Sequence, residues 1–275
     1  MSTMSIDLSY VNARRLLLPA SDTITLALVG CGGTGSWLAP TVARVARLLV
    51  ETQRRKVEVY FIDPDRVEAK NVYRQNFCDA EVGRLKADTL ALRYGAAWGL
   101  EIRAVPEKFS PKLSLRSSLL VLIGCVDNAA ARREMAKAVG ETPLRARRSG
   151  EARAWWLDCG NHKAAGQVLL GCGAKRPDDP FELPGLCSWL PMPTEQHPEL
   201  LEDEVEAGPD LAGMSCAEMA MQDSQGLMVN QATAAQAGDY LVRGLLTNDL
   251  RKQATYLDLA SGTVRSKYIL KGEES

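Results

Sequence analysis

The chain has 275 residues, of which 46% are hydrophobic and 24% charged, and its formal net charge is −1. These values are typical of a globular protein with a full core, and they give no basic field for nucleic-acid binding. The first residues, MSTMSIDLSYVNARR, lack the apolar core of a secretory signal, and apolar runs such as residues 117–125 are too short to span a membrane. We therefore predict a cytoplasmic protein that does not act in a membrane.

The first 140 residues alternate short apolar runs with amphipathic stretches. The apolar runs predict strands at 24–29, 57–62, 100–105 and 119–123, and the amphipathic stretches predict helices at 34–50, 82–98 and 128–139. This alternation is typical of a Rossmann-like α/β fold, a mostly parallel sheet with helices on both faces. Ligands of such sheets bind at the carboxyl ends of the strands.

The second half has a different pattern. Strands are predicted at 154–158 and 167–171 around a turn at Gly160-Asn161, and at 254–259 and 263–270, with a helix at about 225–246. Residues 174–213 are rich in proline, glycine and acidic side chains, which predicts a long mobile loop. We predict one domain over residues 1–275, with an inserted crossover loop and a C-terminal extension of strands and a long helix.

A glycine-rich turn, Gly30-Cys31-Gly32-Gly33-Thr34-Gly35-Ser36, follows the first strand and precedes the first helix. Glycines let backbone N–H groups approach a phosphate, and the helix N-terminus adds a partial positive charge. The turn could also serve only to pack helix on strand. Asp63 ends the second strand, where an acid accepts hydrogen bonds from ribose hydroxyls in ATP-binding and NAD-binding folds alike.

Polar residues crowd the region after the second strand. Residues 63–77 (DPDRVEAKNVYRQNF) bring Asn71, Arg74 and Gln75, and Lys86 opens the next helix. Cations here would neutralise the phosphates of ATP, although each alone could be a solvated surface residue. Asp127 follows the fourth strand, where a carboxylate can hold Mg²⁺ against phosphates or cap the next helix.

The motifs GCGGTGS, DPDRVEAKNVYRQNF, VGRLKA and CVDN occur in an order and spacing that resembles the ThiF/MoeB/ubiquitin-activating superfamily. The later segments LDCGN, GQVLLG and MSCAEMAMQDSQGLMVNQATAAQAGDYL resemble in particular the ThiF-like protein of bacterial PRTRC gene clusters. The resemblance implies a nucleotide-binding half at 24–140. It also implies a half at 150–275 for substrate and dimer contacts, with the loop at about 174–213.

The resemblance also implies an activity: ATP- and Mg²⁺-dependent adenylation of a carboxylate, the C-terminal glycine of a small ubiquitin-like or sulfur-carrier-like protein, by a homodimer. Asp63 would bind the ribose, Arg74 and Lys86 would act on the phosphates, and Asp127 would coordinate Mg²⁺. The full set of implied nucleotide contacts is Gly30, Gly32, Gly33, Gly35, Asp63, Asp65, Asn71, Arg74, Gln75, Lys86 and Asp127.

Three features of this superfamily map poorly onto the chain. Many relatives bind zinc through two CxxC pairs, but none of the seven cysteines here forms such a pair, so we expect no zinc site. Some relatives accept the activated carboxylate on a cysteine, for which Cys216 is the best match and Cys187 the second. A partner's arginine often reaches the ATP, and Arg15 or Arg14 is the candidate.

Alternative functions stay open at this stage. The activated carboxylate could belong to a small molecule or to a tRNA. The chain could also be a dinucleotide-dependent oxidoreductase, although Arg74, Lys86 and Asp127 argue against it, or a regulatory subunit that binds nucleotide without turnover.

Overall fold

The structure is a computed structural model that describes residues 9–115, 118–141, 151–162, 164–202 and 216–272, with residues 141 and 216–225 described in their backbone only. In these ranges the strands are β1 (Arg15–Leu16), β2 (Thr23–Val29), β3 (Lys56–Ile62), β4 (Ile102–Val105), β5 (Leu119–Gly124), β6 (Ala154–His162), β7 (Ala165–Cys172), β8 (Leu186–Cys187), β9 (Lys252–Asp258) and β10 (Thr263–Tyr268). The α-helices are α1 (Ser9–Asn12), α2 (Gly33–Gln53), α3 (Lys86–Trp98), α4 (Ala129–Glu141), α5 (Pro193–Gln196) and α6 (Cys216–Leu241), which continues as a π-helical turn over Val242–Leu246.

The main sheet has eight strands in the order β10-β9-β7-β6-β5-β2-β3-β4. Strands β4, β3, β2, β5 and β6 are parallel, whereas β7, β9 and β10 are antiparallel to their neighbours. The prediction of a mostly parallel, Rossmann-like α/β sheet is confirmed. Because β2 lies between β3 and β5, the strand order reverses beside it, and in this class of sheet a ligand crevice lies at that point.

Helices cover both faces of the sheet. Helices α2, α3 and α6 pack on one face, with Leu38, Val42 and Leu49 of α2 completely buried. Helix α4 packs on the other face. Successive side chains of a strand point to opposite faces, so Trp155 enters the α2–α6 core while Trp156 packs with Met135 under α4.

The predicted turn at Gly160-Asn161 was wrong. Both residues lie inside β6, where Gly160 pairs with Gln167 and Asn161 with Gly166, so that the strand runs on to His162. The chain reverses only between His162 and Ala165. Because β7 begins early, at Ala165, it pairs with Gly160 and Asn161. This pairing keeps both residues in extended strand conformation, so no turn forms at them.

The helix predicted from residue 82 begins instead at Lys86. Gly83 has φ +88° and its N–H donates to the carbonyl of Val67, and Leu85 forms a β-bridge with Arg66. These bonds tie the preceding segment to the residues after β3 and place Lys86 at the helix start.

Residues 174–202 lie against the domain with little regular structure. Strand β8 pairs in parallel with β1, and the indole of Trp189 donates to the carbonyl of Ala174 at 2.8 Å. Residues 203–213 of the predicted loop lie outside the described residues. Within the described part of the chain, every helix is too short or too polar to cross a lipid bilayer.

Candidate nucleotide site

The glycine loop between β2 and α2 is wound tightly against the end of β5. Gly30 has φ +86°, and a Cβ on it would lie 2.4 Å from the carbonyl oxygen of Cys125. A Cβ on Gly35 would lie 1.8 Å from the carbonyl oxygen of Gly30. A side chain at either position would force the backbone apart, which explains the glycines at 30 and 35 by packing alone.

Asp63 connects the end of β3 to this loop. Its Oδ2 accepts the N–H of Cys31 at 2.6 Å, and its Oδ1 accepts the N–H of Asp65 at 2.8 Å. Burial raises the pKa of Asp63, and these two backbone hydrogen bonds oppose the rise. Each carboxylate oxygen has two lone pairs, so capacity remains for the hydroxyl groups of a ligand.

Lys86 brings a buried cation to the same edge of the sheet. Its Nζ donates to Asp65 Oδ2 at 3.0 Å, and its side chain is 7% exposed whereas that of Asp65 is 64% exposed. An ammonium has three N–H donors, so this bond leaves it able to bind an anion.

The segment after β3 presents amides to the glycine loop. Asn71 and Gln75 are buried, and Asn71 Oδ1 accepts the N–H of Glu68 at 2.9 Å. A Cβ placed on Gly32 would meet Gln75 Nε2 at 3.8 Å, so Gln75 lies across from the loop. Gln75 Oε1 is buried without a hydrogen-bond partner among the described residues.

Arg74 lies in the same segment and is tied down through its carbonyl oxygen. That oxygen accepts Trp37 Nε1 from α2 at 3.1 Å and Asn230 Nδ2 from α6 at 3.5 Å. The Arg74 backbone is thus fixed to two helices beside the loop.

Asp127 follows β5 and is exposed. Its Oδ1 accepts Asn128 Nδ2 at 3.3 Å, while Asn128 Oδ1 accepts the N–H of Ala131 at 2.8 Å in the first turn of α4. The cap of α4 is therefore Asn128, and the alternative of Asp127 as a helix cap was wrong. The Asp127 carboxylate lies at the carboxyl edge of the sheet, as does the glycine loop.

Arg14 and Arg15 lie far from this edge of their own chain. Arg14 N donates to the carbonyl of Ile269, and Ile269 N donates to the carbonyl of Arg251, just before β9. Because β9 runs in the same direction as β6, its first residues mark the amino edge of the sheet. Within one chain, neither arginine comes near the glycine loop.

The two candidate nucleophiles, Cys187 and Cys216, lie in β8 and at the start of α6. Cys187 is buried, its thiol donates to the carbonyl of Trp189 at 3.0 Å, and burial raises its pKa to about 11. A thiol with such a pKa is not a nucleophile near neutral pH. Cys216 is the first residue of α6, but its side chain lies outside the described residues. Over the described ranges, no three His, Cys, Asp or Glu side chains group as metal ligands.

Two further features are not predictable from patterns in the sequence. Thr34, Asn161 and Asn230 form a hydrogen-bonded cluster beside the loop. In addition, a cavity of about 510 Å³ opens on the α4 face, where Arg132, Asn161, Gln167, Tyr256 and Arg265 are among its lining residues. Asparagines in a helix or strand carry no distinctive spacing, and the cavity is assembled from α4 and four separate strand ends.

A buried ion pair supports this cavity. Arg132 Nε donates to Asp158 Oδ1 at 3.3 Å, and Asp158 is completely buried. Burial raises the pKa of Asp158, and the positive charge of Arg132 opposes the rise. The guanidinium of Arg132 thus has a fixed carboxylate on one side and the cavity on the other.

Residues 20–168, more than half of the chain, match the model of the ThiF family. The chain belongs to the ThiF family. This family segment contains the glycine loop, Asp63, Lys86 and Asp127. No curated protein sequence matches the chain.

Solved structures with the same fold extend the likeness beyond the ThiF segment. PaaA has a TM-score of 0.53 at 15% identity, over 91% of this chain and 64% of its own. Escherichia coli MccB crystallised with ATP has a TM-score of 0.52 at 13% identity, over 96% of this chain and 67% of its own. MccB in complex with N-formylated MccA has a TM-score of 0.51 at 13% identity, over 90% and 64%. This ThiF chain spans about two thirds of the length of these proteins, and at such identities the likeness concerns the fold.

Proposed function

We propose that the chain catalyses ATP-dependent adenylation of a carboxylate. One observation carries this proposal: Asp63 and Gln75 adjoin the glycine loop at the carboxyl edge of the sheet, and Lys86 is joined to the same group through Asp65, whose N–H donates to Asp63. A buried acid suits a ribose, and a buried cation suits phosphates. Membership of the ThiF family and the binding of ATP by MccB, which has the same fold, support the same conclusion.

The residues fit a nucleoside triphosphate. The glycine loop would receive the phosphates on backbone N–H groups at the start of α2, and the remaining acceptor capacity of Asp63 would take the ribose hydroxyls. Asn71, Gln75, Arg74 and Lys86 would surround the phosphates. Mg²⁺ would be held by Asp127 and would neutralise phosphate charge.

The reaction follows from this placement. An oxygen of the substrate carboxylate attacks the α-phosphorus in line, a new P–O bond forms, and the bond from that phosphorus to the β-phosphate oxygen breaks. The products are an acyl-adenylate and pyrophosphate. Arg74 and Lys86 stabilise the charge that builds on the phosphates, and because the nucleophile is already an anion, positioning and charge neutralisation suffice without a general base.

We propose the C-terminal glycine of a small ubiquitin-like or sulfur-carrier-like protein as the substrate. The cavity beside the loop supports a narrow extended tail: Gly160 and Gly166 line it, and the Gln167 carboxamide is available to backbone amides of the tail. MccB, which has the same fold, has been crystallised in complex with N-formylated MccA. We further propose a cytoplasmic homodimer of the type of the PRTRC ThiF protein, in which Arg14 or Arg15 reaches the partner's ATP.

The test is ATP–pyrophosphate exchange, with candidate ubiquitin-like proteins that end in glycine added one at a time and weighed by intact mass spectrometry. We expect exchange that requires the protein partner and a transient mass gain of one AMP. Asp127→Ala and Arg74→Ala should abolish exchange. Lys70→Ala, which removes an exposed cation paired with Glu68 in the same segment, is the matched control and should retain activity.

Other outcomes would overturn the assignment. If Asp127→Ala and Arg74→Ala kept full activity, the site would be misplaced. Exchange without any protein partner would point to a small-molecule carboxylate. Tight NADH binding in calorimetry, with none for ATP, would favour a dinucleotide-dependent oxidoreductase. ATP binding without exchange for any carboxylate would favour a regulatory subunit.

A further inference from the structure

Three polar side chains from separate parts of the chain meet beside the glycine loop: Thr34 of α2, Asn161 of β6 and Asn230 of α6, which we name the amide cluster. Asn161 Nδ2 donates to Thr34 Oγ1 at 3.0 Å and also to Asn230 Oδ1. Thr34 Oγ1 donates to Asn230 Oδ1 at 3.3 Å. Thr34 and Asn230 are each 5% exposed, so the bond between them is shielded from water, whereas Asn161 lies in the exposed end of β6.

Asn230 uses both ends of its carboxamide. While Oδ1 accepts from the amide cluster, Nδ2 donates to the carbonyl oxygen of Arg74 at 3.5 Å. A Cβ on Gly33 would lie 2.6 Å from Asn230 Oδ1, so the same side chain also packs against the glycine loop. One residue therefore contacts the loop, the start of α2, the Arg74 segment and β6.

This arrangement has a chemical requirement that few side chains meet. Position 230 must accept two hydrogen bonds on one atom and donate on the other, and it must carry no charge close to where phosphates would lie. Aspartate would keep the acceptors but would lose the donor and add a buried negative charge. Leucine would keep the volume and lose every bond. Asparagine meets all the conditions.

We infer that Asn230 and Asn161 are positioning residues for the nucleotide. They hold the start of α2 and the Arg74 carbonyl in the arrangement that receives the phosphates, without touching the reacting atoms. This inference rests on the proposed ATP site. It goes further by assigning a role to α6 and β6, which are distant in the sequence from the segments proposed to bind phosphate.

The experiment measures the dissociation constant of a fluorescent ATP analogue, mant-ATP with Mg²⁺, at pH 7.5 and pH 5.0. The dissociation constant of each variant is divided by that of the natural protein at the same pH. Asn230→Leu should weaken binding roughly tenfold at both pH values, because the protein loses the net free energy of about one hydrogen bond that holds the site in its binding arrangement. Asn230→Asp should weaken binding by more than tenfold at pH 7.5. At pH 5.0 it should recover to within about threefold of the natural protein, because a buried aspartic acid that holds its proton again donates and accepts.

Conservative variants provide the rescue and the controls. Thr34→Ser keeps the hydroxyl and should bind within about twofold of the natural protein, whereas Thr34→Val should resemble Asn230→Leu. The double variant Asn161→Ala/Asn230→Leu should lose little more than Asn230→Leu alone, because the two residues act as one network. Gln236→Ala, a half-buried carboxamide on the same helix, should leave binding unchanged.

The outcomes separate the two proposals. If the natural protein binds no mant-ATP, the proposed function fails and this inference with it. If the natural protein binds but the Asn230→Asp ratio is the same at both pH values, or Thr34→Val binds as tightly as Thr34→Ser, only this inference is overturned. Thermal unfolding without nucleotide identifies any variant that does not fold, in which case the Thr34→Ser and Thr34→Val pair decides.

Discussion

Two buried cations in the described part of the chain, Lys86 and Arg132, have different partners. Lys86 at the mouth of the crevice has a largely exposed partner, Asp65, so an arriving anion can compete for its ammonium. Arg132 has a completely buried partner, Asp158, so their bond is part of the structure that supports the cavity. The difference in partner exposure separates a cation available to a ligand from one committed to the fold.

The buried pair predicts a pH-dependent loss of stability in Arg132→Met. Removing one member of a buried pair leaves an uncompensated charge and costs about 3 kcal/mol or more. Arg132 is the group that lowers the pKa of Asp158 against the effect of burial, so the variant raises that pKa further. Between the unfolded and folded pKa values the folded state binds more protons, and the free energy of unfolding falls as pH rises through that window.

The measurement is urea denaturation of Arg132→Met and the natural protein at pH 5.0 and pH 7.5. The stability deficit of the variant should be larger at pH 7.5. Lys137→Met, an exposed cation of the same helix paired with Glu134, is the control and should change the free energy of unfolding by less than about 1 kcal/mol. A deficit that is equal at the two pH values would mean that Asp158 does not hold an unpaired charge in the variant.

At the scale of elements, the join between β2 and α2 depends on close backbone approach. Gly35 lies in the first turn of α2, where alanine has the better helix propensity, yet a Cβ there would lie 1.8 Å from the Gly30 carbonyl oxygen. The backbone oxygen cannot move without opening the glycine loop. Packing therefore outweighs propensity at this position.

A pair of glycine-to-alanine variants tests this reasoning. Gly35→Ala should lower the free energy of unfolding by about 2 kcal/mol or more because the added methyl overpacks the join. Gly226→Ala in α6, where a Cβ would meet no atom of the described residues within 4 Å, should raise it by up to about 1 kcal/mol. Chemical denaturation of both variants gives the answer. If Gly35→Ala proved neutral, the loop would be looser than its geometry indicates.

Periodicity predicted the regular elements well where the pattern was strong. Residues 24–29 and 119–123 are apolar runs that form the centre of the sheet, and α2 follows its apolar stripe. The failures are local. The strand through Gly160-Asn161 depends on pairing with β7, and the late start of α3 depends on bonds from Gly83 and Leu85 to residues after β3. Such non-local bonds leave no trace in the spacing of apolar residues.

The candidate site was predictable only in part for the same reason. Asp63, Lys86 and Asp127 follow strands or open a helix, and parallel topology alone brings such positions to one edge. Asn161 and Asn230 reach the loop from 127 and 196 residues away along the chain from Thr34. Their role depends on how α6 packs on α2, which sequence spacing does not encode.

On the scale of the whole molecule, the two predicted halves share one core. A single apolar cluster contains Leu28 and Val42 from the first half together with Val168 and Tyr240 from the second. Helix α6 packs on α2, β6 and β7, and the amide cluster joins both halves at the loop. The half at 24–140, which we predict to bind nucleotide, therefore lacks a complete core when it is alone.

This shared core predicts a single cooperative transition for the full chain, with coincident curves by far-ultraviolet circular dichroism and by tryptophan fluorescence, to which buried Trp155 and Trp156 contribute. A fragment of residues 1–172 should show no such transition, because the face that α6 covers would be exposed.

Saturating ATP with Mg²⁺ should stabilise the full chain as a unit, raising the free energy of its single unfolding transition by about 2.7 kcal/mol at a hundredfold excess over the dissociation constant. The control is the same titration with Lys86→Met, which should fold but gain much less from ATP. Two separate transitions, or a fragment that unfolds cooperatively on its own, would show instead that the halves are independent domains and that α6 is not required to form the glycine loop.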